Sequence, residues 1–361
     1  MPPPREAPQA PVHTSRARDR SNISTEKIPQ QFVREPLSSI LVLGATGRIG
    51  PAVARHVATT APGVKLRLVV RSPAAVAELQ DRFPTSEVVC ADYLDRASLH
   101  GAVRGMAGIF VVTPTFLDER SAMTNLVDAL AAAGSVRHVV RILGDVLNVP
   151  LHRVPQVLRD YGGGTAIQHM TAHDVLESSG LPITYLNIAA TYMDNLLRMR
   201  SMLRAGQWIT PIDRLIGYVD PREVGEIAAR LLLSPDSRHV GQRYNVDNGY
   251  DLMRNSETAR MLSEELGRPV ELVVSEQRFI EEMGPRLDRQ YGREGGGRYM
   301  VEYLKFEEAN EVVWRRTDFA EAILGRPPLR LRQWIREHRE LLAAGSTNPG
   351  LGPPHPDHPT V

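Results

Sequence analysis

The sequence predicts an α/β fold built on a doubly wound parallel sheet. Three observations carry that prediction: short, largely apolar runs alternate with helix-like segments, short Gly, Pro and Asp punctuation separates them, and the first run ends in a glycine-rich turn that opens a helix. Continuous apolar runs belong to strands buried on both faces, as parallel strands joined by helical crossovers are.

Residues 39–43 (SILVL) form the first run, ending at Gly44, and residues 51–59 bring Ala54, Val57 and Ala58 near one face of the following helix. Further strand-like runs are 66–70 (LRLVV), 87–90 (EVVC), 108–113 (GIFVVT) and 136–143 (VRHVVRIL). The segments between them, 73–82, 97–104 and 119–133, are helical in composition. Beyond 183–189 (ITYLNIA) the alternation weakens. Helical stretches at 193–205, 222–233, 255–266 and 277–283 are separated by fewer strands, so a smaller, mixed α/β C-terminal substrate region is expected.

With 361 residues, 43 Lys+Arg against 42 Asp+Glu and a formal charge of +1, the chain can bury a large core but has no global positive field. Neither nucleic acid nor a membrane surface is expected as a partner. No run approaches the roughly 18 apolar residues that span a bilayer, so the expectation is a cytoplasmic protein acting on a small molecule. The single cysteine, Cys90, excludes an internal disulfide and a cysteine-built zinc site. Residues 1–37 are rich in Pro, Arg and Ser and read as a disordered extension, as does the tail with His355 and His358. A targeting peptide is the alternative at the N-terminus, opposed by Pro2, Pro3 and Pro4 and by Glu6, Asp19 and Glu26.

Residues 41–50 (LVLGATGRIG) set Gly44, Gly47 and Gly50 between a strand and a helix whose first turn holds Pro51, tolerated where no N–H partner is needed. Gly44 suits a tight turn, Gly47 lets the backbone approach a pyrophosphate, and Gly50 permits close helix packing. The helix start offers free N–H groups and a positive dipole end to the anion. Gly44, Thr46, Gly47, Arg48, Ile49 and Gly50 are therefore the candidate phosphate cradle of a dinucleotide. The domain reading is an extension over 1–37, a Rossmann domain over 38–190, a mainly substrate-binding region over 191–342 with part of 218–250 returning to the Rossmann sheet, and a disordered tail over 343–361.

An NAD-preferring site ends its second strand in Asp or Glu. Here Arg71 stands there, a planar fork of donors suited to a 2′-phosphate, with Arg48 as a second cation; the expected cofactor is NADP(H). The alternative for Arg71 is a solvated strand-end charge. Asp92, after the third strand, can hydrogen-bond an adenine flanked by Tyr93, while Asp95 is placed to cap the next helix. Thr113, Pro114 and Thr115 close the fourth strand at the same edge.

GATGRIG (44–50), VVRSP (69–73), ADYLDRASLHGAVRGMAGIFVVTP (91–114), ESSGLPITYL (177–186), YMDNLL (192–197), YVDPREVGEIAARLL (218–232) and TARMLSEELGRPVEL (258–272) together resemble the NmrA-like branch of the atypical short-chain dehydrogenases/reductases, over about residues 39–342. The resemblance implies NAD(P) binding, and either reduction of quinones or phenylpropanoids with NADPH or redox sensing without turnover. The wider superfamily uses Tyr-x-x-x-Lys for proton transfer. This chain has only Lys27, Lys65 and Lys305, and Thr165, Ala189 and Leu196 stand four residues after Tyr161, Tyr185 and Tyr192.

In the phenylpropanoid-reductase relatives a catalytic lysine precedes by eight residues the glutamate that matches Glu177. That position is His169, a proton donor near neutral pH at its ordinary pKa of about 6.5. His169 is the candidate catalytic residue; packing on the helix is the plain alternative. His169 and His173 are also spaced for two metal ligands, but Met170 stands where a zinc-protease helix has glutamate and no third ligand is near in sequence. Residues 161–164 (YGGG) read as a substrate loop or a connector. The segments 143–145 (LGD) and 188–192 (IAATY) depart from the relatives at the expected cleft. Residues 286–300 (RLDRQYGREGGGRYM), with Arg286, Arg289, Arg293 and Arg298, read as a lid or a mobile surface loop. The functional expectation is an NADPH-dependent reductase of a quinone, enone or related conjugated carbonyl. The alternatives are a dinucleotide sensor with a protein partner and a non-redox tailoring enzyme on the same fold.

Overall fold

The structure, a computed structural model, describes residues 28–144, 151–161, 165–311 and 314–343. Asp145, Gly162, Gly163 and Gly164, the chain up to residue 27 and the tail from residue 344 with His355 and His358 lie outside the described residues.

Strands β1 (Ser39–Val42), β2 (Lys65–Val70), β3 (Glu87–Cys90), β4 (Gly108–Val111), β5 (His138–Gly144) and β6 (Ile183–Ile188) form one sheet. Short strands β7 (Thr191–Tyr192), β8 (Gln207–Thr210) and β9 (Leu215–Val219) leave it, β10 (Arg243–Val246) returns to pair with β6, and β11 (Leu252–Arg254) and β12 (Glu271–Val274) lie outside again. The order is β10-β6-β5-β4-β1-β2-β3, with every neighbouring pair parallel. Helices α1 (Gly50–Thr60), α2 (Ala74–Arg82), α3 (Arg96–Val103) and α4 (Glu119–Ala133) connect the first strands, followed by α5 (Gln156–Asp160) and α6 (Thr165–Glu177). Then come α7 (Asn195–Arg198), α8 (Arg200–Arg204), α9 (Pro221–Leu233), α10 (Asn255–Leu266), α11 (Glu276–Tyr291) and α12 (Gly296–Ala309).

The apolar runs are explained by burial on both faces. Along β1, Ile40 and Val42 join the core under α1 and α9, whereas Leu41 and Leu43 join the core under α3, α4 and α6. Asp95 caps α3 by accepting the N–H groups of Ala97 and Ser98. A third core, around Trp208, Tyr218, Tyr299 and Trp334, holds the C-terminal elements together. Among the described residues no helix is long and apolar enough to cross a membrane.

Two segments differ from the sequence expectation. Residues 28–37, read as part of the extension, are seated: Arg34 donates to the carbonyls of Leu231, Leu232 and Ser234, and Leu37 is buried. Residues 286–300, read as a loop, are mostly helical, with only 292–295 forming the turn between α11 and α12. Their glycines serve packing as much as turning. A Cβ on Gly297 would lie 3.1 Å from Gly284 Cα, so these two positions let the helices touch backbone to backbone.

His138, at the start of β5, is fully buried, with Nε2 2.8 Å from Thr184 Oγ1. That hydroxyl donates to the His239 carbonyl at 2.5 Å, so His138 Nε2–H must be the donor to it, and Nδ1 is buried without a partner among the described residues. Burial, with Arg34 and His239 nearby, pushes the His138 pKa down to about 3. The unfolded chain takes up a proton near pH 6.5 that the folded chain refuses, so stability is full above that pH and falls as pH drops from there toward 3. Urea unfolding at pH 7 and pH 5 should show a loss on the order of 1–2 kcal/mol from this group, absent in His138→Asn. An equal loss in the variant would acquit His138.

Candidate active site

The dinucleotide candidate residues gather at the carboxyl edge of the sheet. β1 lies between β2 and β4, and the crossover from β3 returns past β1 to β4, which makes the ends of β1 and β4 the point where strand order reverses. Gly44 has φ +78° and its carbonyl accepts Gly47 N–H at 3.0 Å, closing the turn. A Cβ on Gly50 would lie 2.2 Å from that same carbonyl oxygen. Thr46 and Gly47 are exposed. The N–H groups of Thr46, Arg48 and Ile49 donate to no carbonyl among the described residues. A turn with three unspent amides at the start of α1 fits a pyrophosphate.

Arg71 follows β2 and Asp92 follows β3, so both share the edge with the glycine turn. Asp92 Oδ1 accepts Leu94 N–H at 2.8 Å. Tyr93 is turned inward, its hydroxyl donating to the Val112 carbonyl at 3.0 Å, so that hydroxyl is already spent. Arg48 does not stand as an open cation. It pairs with Asp194, reaches Asn195 Oδ1 at 3.2 Å and lies over the Tyr192 ring, 4.7 Å from its centroid. Burial and the charge of Arg198 lower its pKa to about 10. It ties the phosphate turn to the segment after β7 instead of extending toward a 2′-phosphate.

Beneath the end of β4 lies a buried polar network that the sequence reading missed. Arg141 of β5, fully buried, pairs with Glu119 at the start of α4 and donates to Thr113 Oγ1 at 2.8 Å. Thr113 Oγ1 in turn donates to Glu119 at 3.1 Å, so its hydroxyl serves the interior. Gln168 of α6 donates to Glu119 Oε2 at 2.9 Å and to the Pro114 carbonyl at 2.7 Å, and accepts Phe116 N–H at 2.8 Å. These bonds hold the loop after β4, where Phe116 takes φ +65°. The signal was available: an arginine inside an apolar central strand demands a buried carboxylate.

His169 is half-buried on α6, its ring so close to β5 that a Cβ on Gly144 would lie 2.4 Å from its Cδ2. Its Nδ1 is buried without a partner among the described residues. Burial, with Arg141 behind it, pushes its pKa down to about 3, so the ordinary histidine value on which its acid role rested does not hold. His173 instead meets Arg243 and Glu177 at the surface end of α6. Among the described residues no group of three or more His, Cys, Asp and Glu side chains gathers about one point.

An aromatic wall forms around the loop after β4. Phe116 packs 4.4 Å from Tyr291 and 5.5 Å from both Tyr161 and Tyr299, and Tyr161 stacks on Tyr299 at 4.6 Å, centroid to centroid. Arg198 of α7 lies within electrostatic reach of Tyr291, and Arg286 of α11 donates to the Arg198 backbone carbonyl beside it.

The NmrA-like family model matches residues 36–294, the span that holds the glycine turn and the seven-stranded sheet. The chain belongs to the NmrA-like family. A relative from Streptomyces griseus subsp. griseus, (4-alkanoyl-5-oxo-2,5-dihydrofuran-3-yl)methyl phosphate reductase, is 28% identical over 308 residues, covering 84% of this chain and 99% of its own. Among solved structures, Citrobacter sp. triphenylmethane reductase complexed with NADP(H) superposes with TM-score 0.68 at 21% identity, covering 83% of this chain and 99% of that one. NmrA, a negative transcriptional regulator in complex with NADP, gives TM-score 0.64 at 18% identity, over 84% and 95% of the two chains. This NmrA-like chain thus shares its fold with reductases and with a regulator.

Proposed function

We propose that this NmrA-like protein binds NADP(H) across the Gly44–Gly50 turn and reduces a conjugated carbonyl of a small metabolite. The observation that supports it most directly is the set of unspent amides of Thr46, Arg48 and Ile49 in the glycine turn between β1 and α1, at the carboxyl edge of the sheet. NADPH, when bound, supplies hydride. The chain's own residues place the rest: Arg71 and Asp92 border the far end of the cradle, the aromatic wall excludes water and orients a flat acceptor, and Gln168 fixes the wall through Phe116. His169 enters as a neutral imidazole packed on the end of β5, its ring N–H donating to the substrate carbonyl oxygen. The curated relative named as reducing an unsaturated lactone phosphate supports an enone-type acceptor.

Calorimetric titration with NADPH, NADP+ and NADH tests the cofactor. Arg71→Ala should weaken NADPH about tenfold and leave NADH unmoved; equal effects on both would remove the 2′-phosphate role. With a panel of quinones and enones, His169→Ala should cut turnover about 100-fold at unchanged NADPH affinity, and the wild-type rate should show no break near pH 6.5. Undiminished turnover would end that role. A sensor reading is favoured by one observation, the Arg48–Asp194 bond between the phosphate turn and α7, which a bound dinucleotide can make or break. It requires partner binding that depends on the dinucleotide.

A further inference from the structure

The guanidinium groups bordering the aromatic wall are undercompensated. Arg198 ends α7, half-buried, and its side chain reaches Gln290 Oε1 at 3.5 Å. Arg286 donates to the Arg198 backbone carbonyl. Among the described residues no carboxylate lies within ion-pair distance of either. Arg286 and Gln290 are one helical turn apart on α11, so both face Arg198, and the next residue, Tyr291, packs on Phe116.

The charges accumulate. Arg198 depresses the pKa of Arg48 and of Arg286, each also lowered by burial, and Arg200 and Arg289 act on Arg286 in the same sense. The acids close by are committed elsewhere: Asp194 to Arg48, and Asp288 Oδ1 to the Gly296 N–H at 2.7 Å. Arg48, Arg198, Arg200, Arg286 and Arg289 set against Asp194 and Asp288, which keeps its charge while accepting an N–H, leave a positive surplus. Holding such a surplus partly out of water is costly unless an anion completes it. A phosphomonoester carries about −1.5 to −2 charges and three acceptor oxygens, which matches both the charge and the fork geometry.

We propose that Arg198 and Arg286 form an anion subsite of the substrate cleft, taking a phosphomonoester on the same molecule whose conjugated carbonyl is reduced. This rests on the reductase reading above. The aromatic wall then covers the apolar body of the substrate, and the two arginines fix its register by the far end.

The test compares a hydroxymethyl-substituted unsaturated lactone with its phosphate ester, at saturating NADPH, in the wild type, Arg198→Ala and Arg286→Ala. The wild type should prefer the ester about 10- to 100-fold in kcat/KM, through KM, and each variant should lose most of that preference while keeping its calorimetric NADPH affinity. Indifference of the wild type to the phosphate overturns the subsite. Loss of NADPH affinity in the variants, with the ester preference intact, also overturns it and assigns the arginines to the dinucleotide. If neither lactone is reduced, calorimetric titration of the ester decides: binding lost in Arg198→Ala upholds the subsite and sinks only the reductase reading, whereas no binding sinks the subsite.

Discussion

Glu119→Ala is expected to destabilise the protein by about 3–5 kcal/mol, the usual cost of removing one partner from a buried ion pair. The Glu119 carboxylate is 3% exposed and takes up Arg141, Thr113 and Gln168 together. It also sits in the first turn of α4, where the helix dipole favours a negative charge. Without it the Arg141 guanidinium stays buried with Thr113 as its remaining partner, because Nε and Nη1 have none among the described residues. The double variant Glu119→Leu/Arg141→Met should recover part of the loss, since it leaves no buried charge unpaired, although Thr113 and Gln168 lose the acceptor they shared. Urea unfolding at pH 7 measures both. A cost below about 1 kcal/mol for the single variant would mean that water reaches Arg141 and that the network is not closed.

The same pair illustrates what the sequence hides. The strand at 138–144 was legible as an apolar run, but periodicity treats Arg141 as an interruption, not as half of a pair with a residue 22 positions earlier. The Rossmann half was legible because its signals are local: a run, a glycine turn, a helix with Pro51 in its first turn, then a run again. The cleft was not, because its polar contacts join residues far apart in the chain, 146 positions for Arg48 with Asp194 and 88 for Arg198 with Arg286. Residues 286–300 failed as a loop for a related reason. The glycines at 295–297 read locally as hinges, yet α11 runs through Pro285 to Tyr291 and packs tightly on α12 where Gly284 meets Gly297. His169 shows the limit on chemistry: the sequence supplies the imidazole, but only its packing on Gly144 and the charge of Arg141 set its protonation state.

Gly50→Ala should raise the Kd for NADPH by at least about 100-fold, roughly 3 kcal/mol, on the proposed reading of the site. The added Cβ would stand 2.2 Å from the Gly44 carbonyl oxygen, 2.8 Å from its carbon and 2.9 Å from Ala45 Cα. All three are backbone atoms, so no side-chain rotation relieves the contact and the turn itself must open. Opening it displaces the Gly44 carbonyl that receives Gly47 N–H, and with it the amides of Thr46, Arg48 and Ile49 that are to face the pyrophosphate. Gly47→Ala is the graded companion, since its Cβ meets the same oxygen at 3.2 Å and a shift of a few tenths of an ångström accommodates it. Gly63→Ala is the control, with nothing within 4 Å of the new carbon. Titration with NADPH beside thermal unfolding separates the outcomes. The expected order of lost affinity is Gly50 far above Gly47, with Gly63 unaffected. A folded Gly50→Ala protein that binds NADPH like the wild type would show that the turn does not hold the cofactor, whatever its resemblance to a phosphate loop.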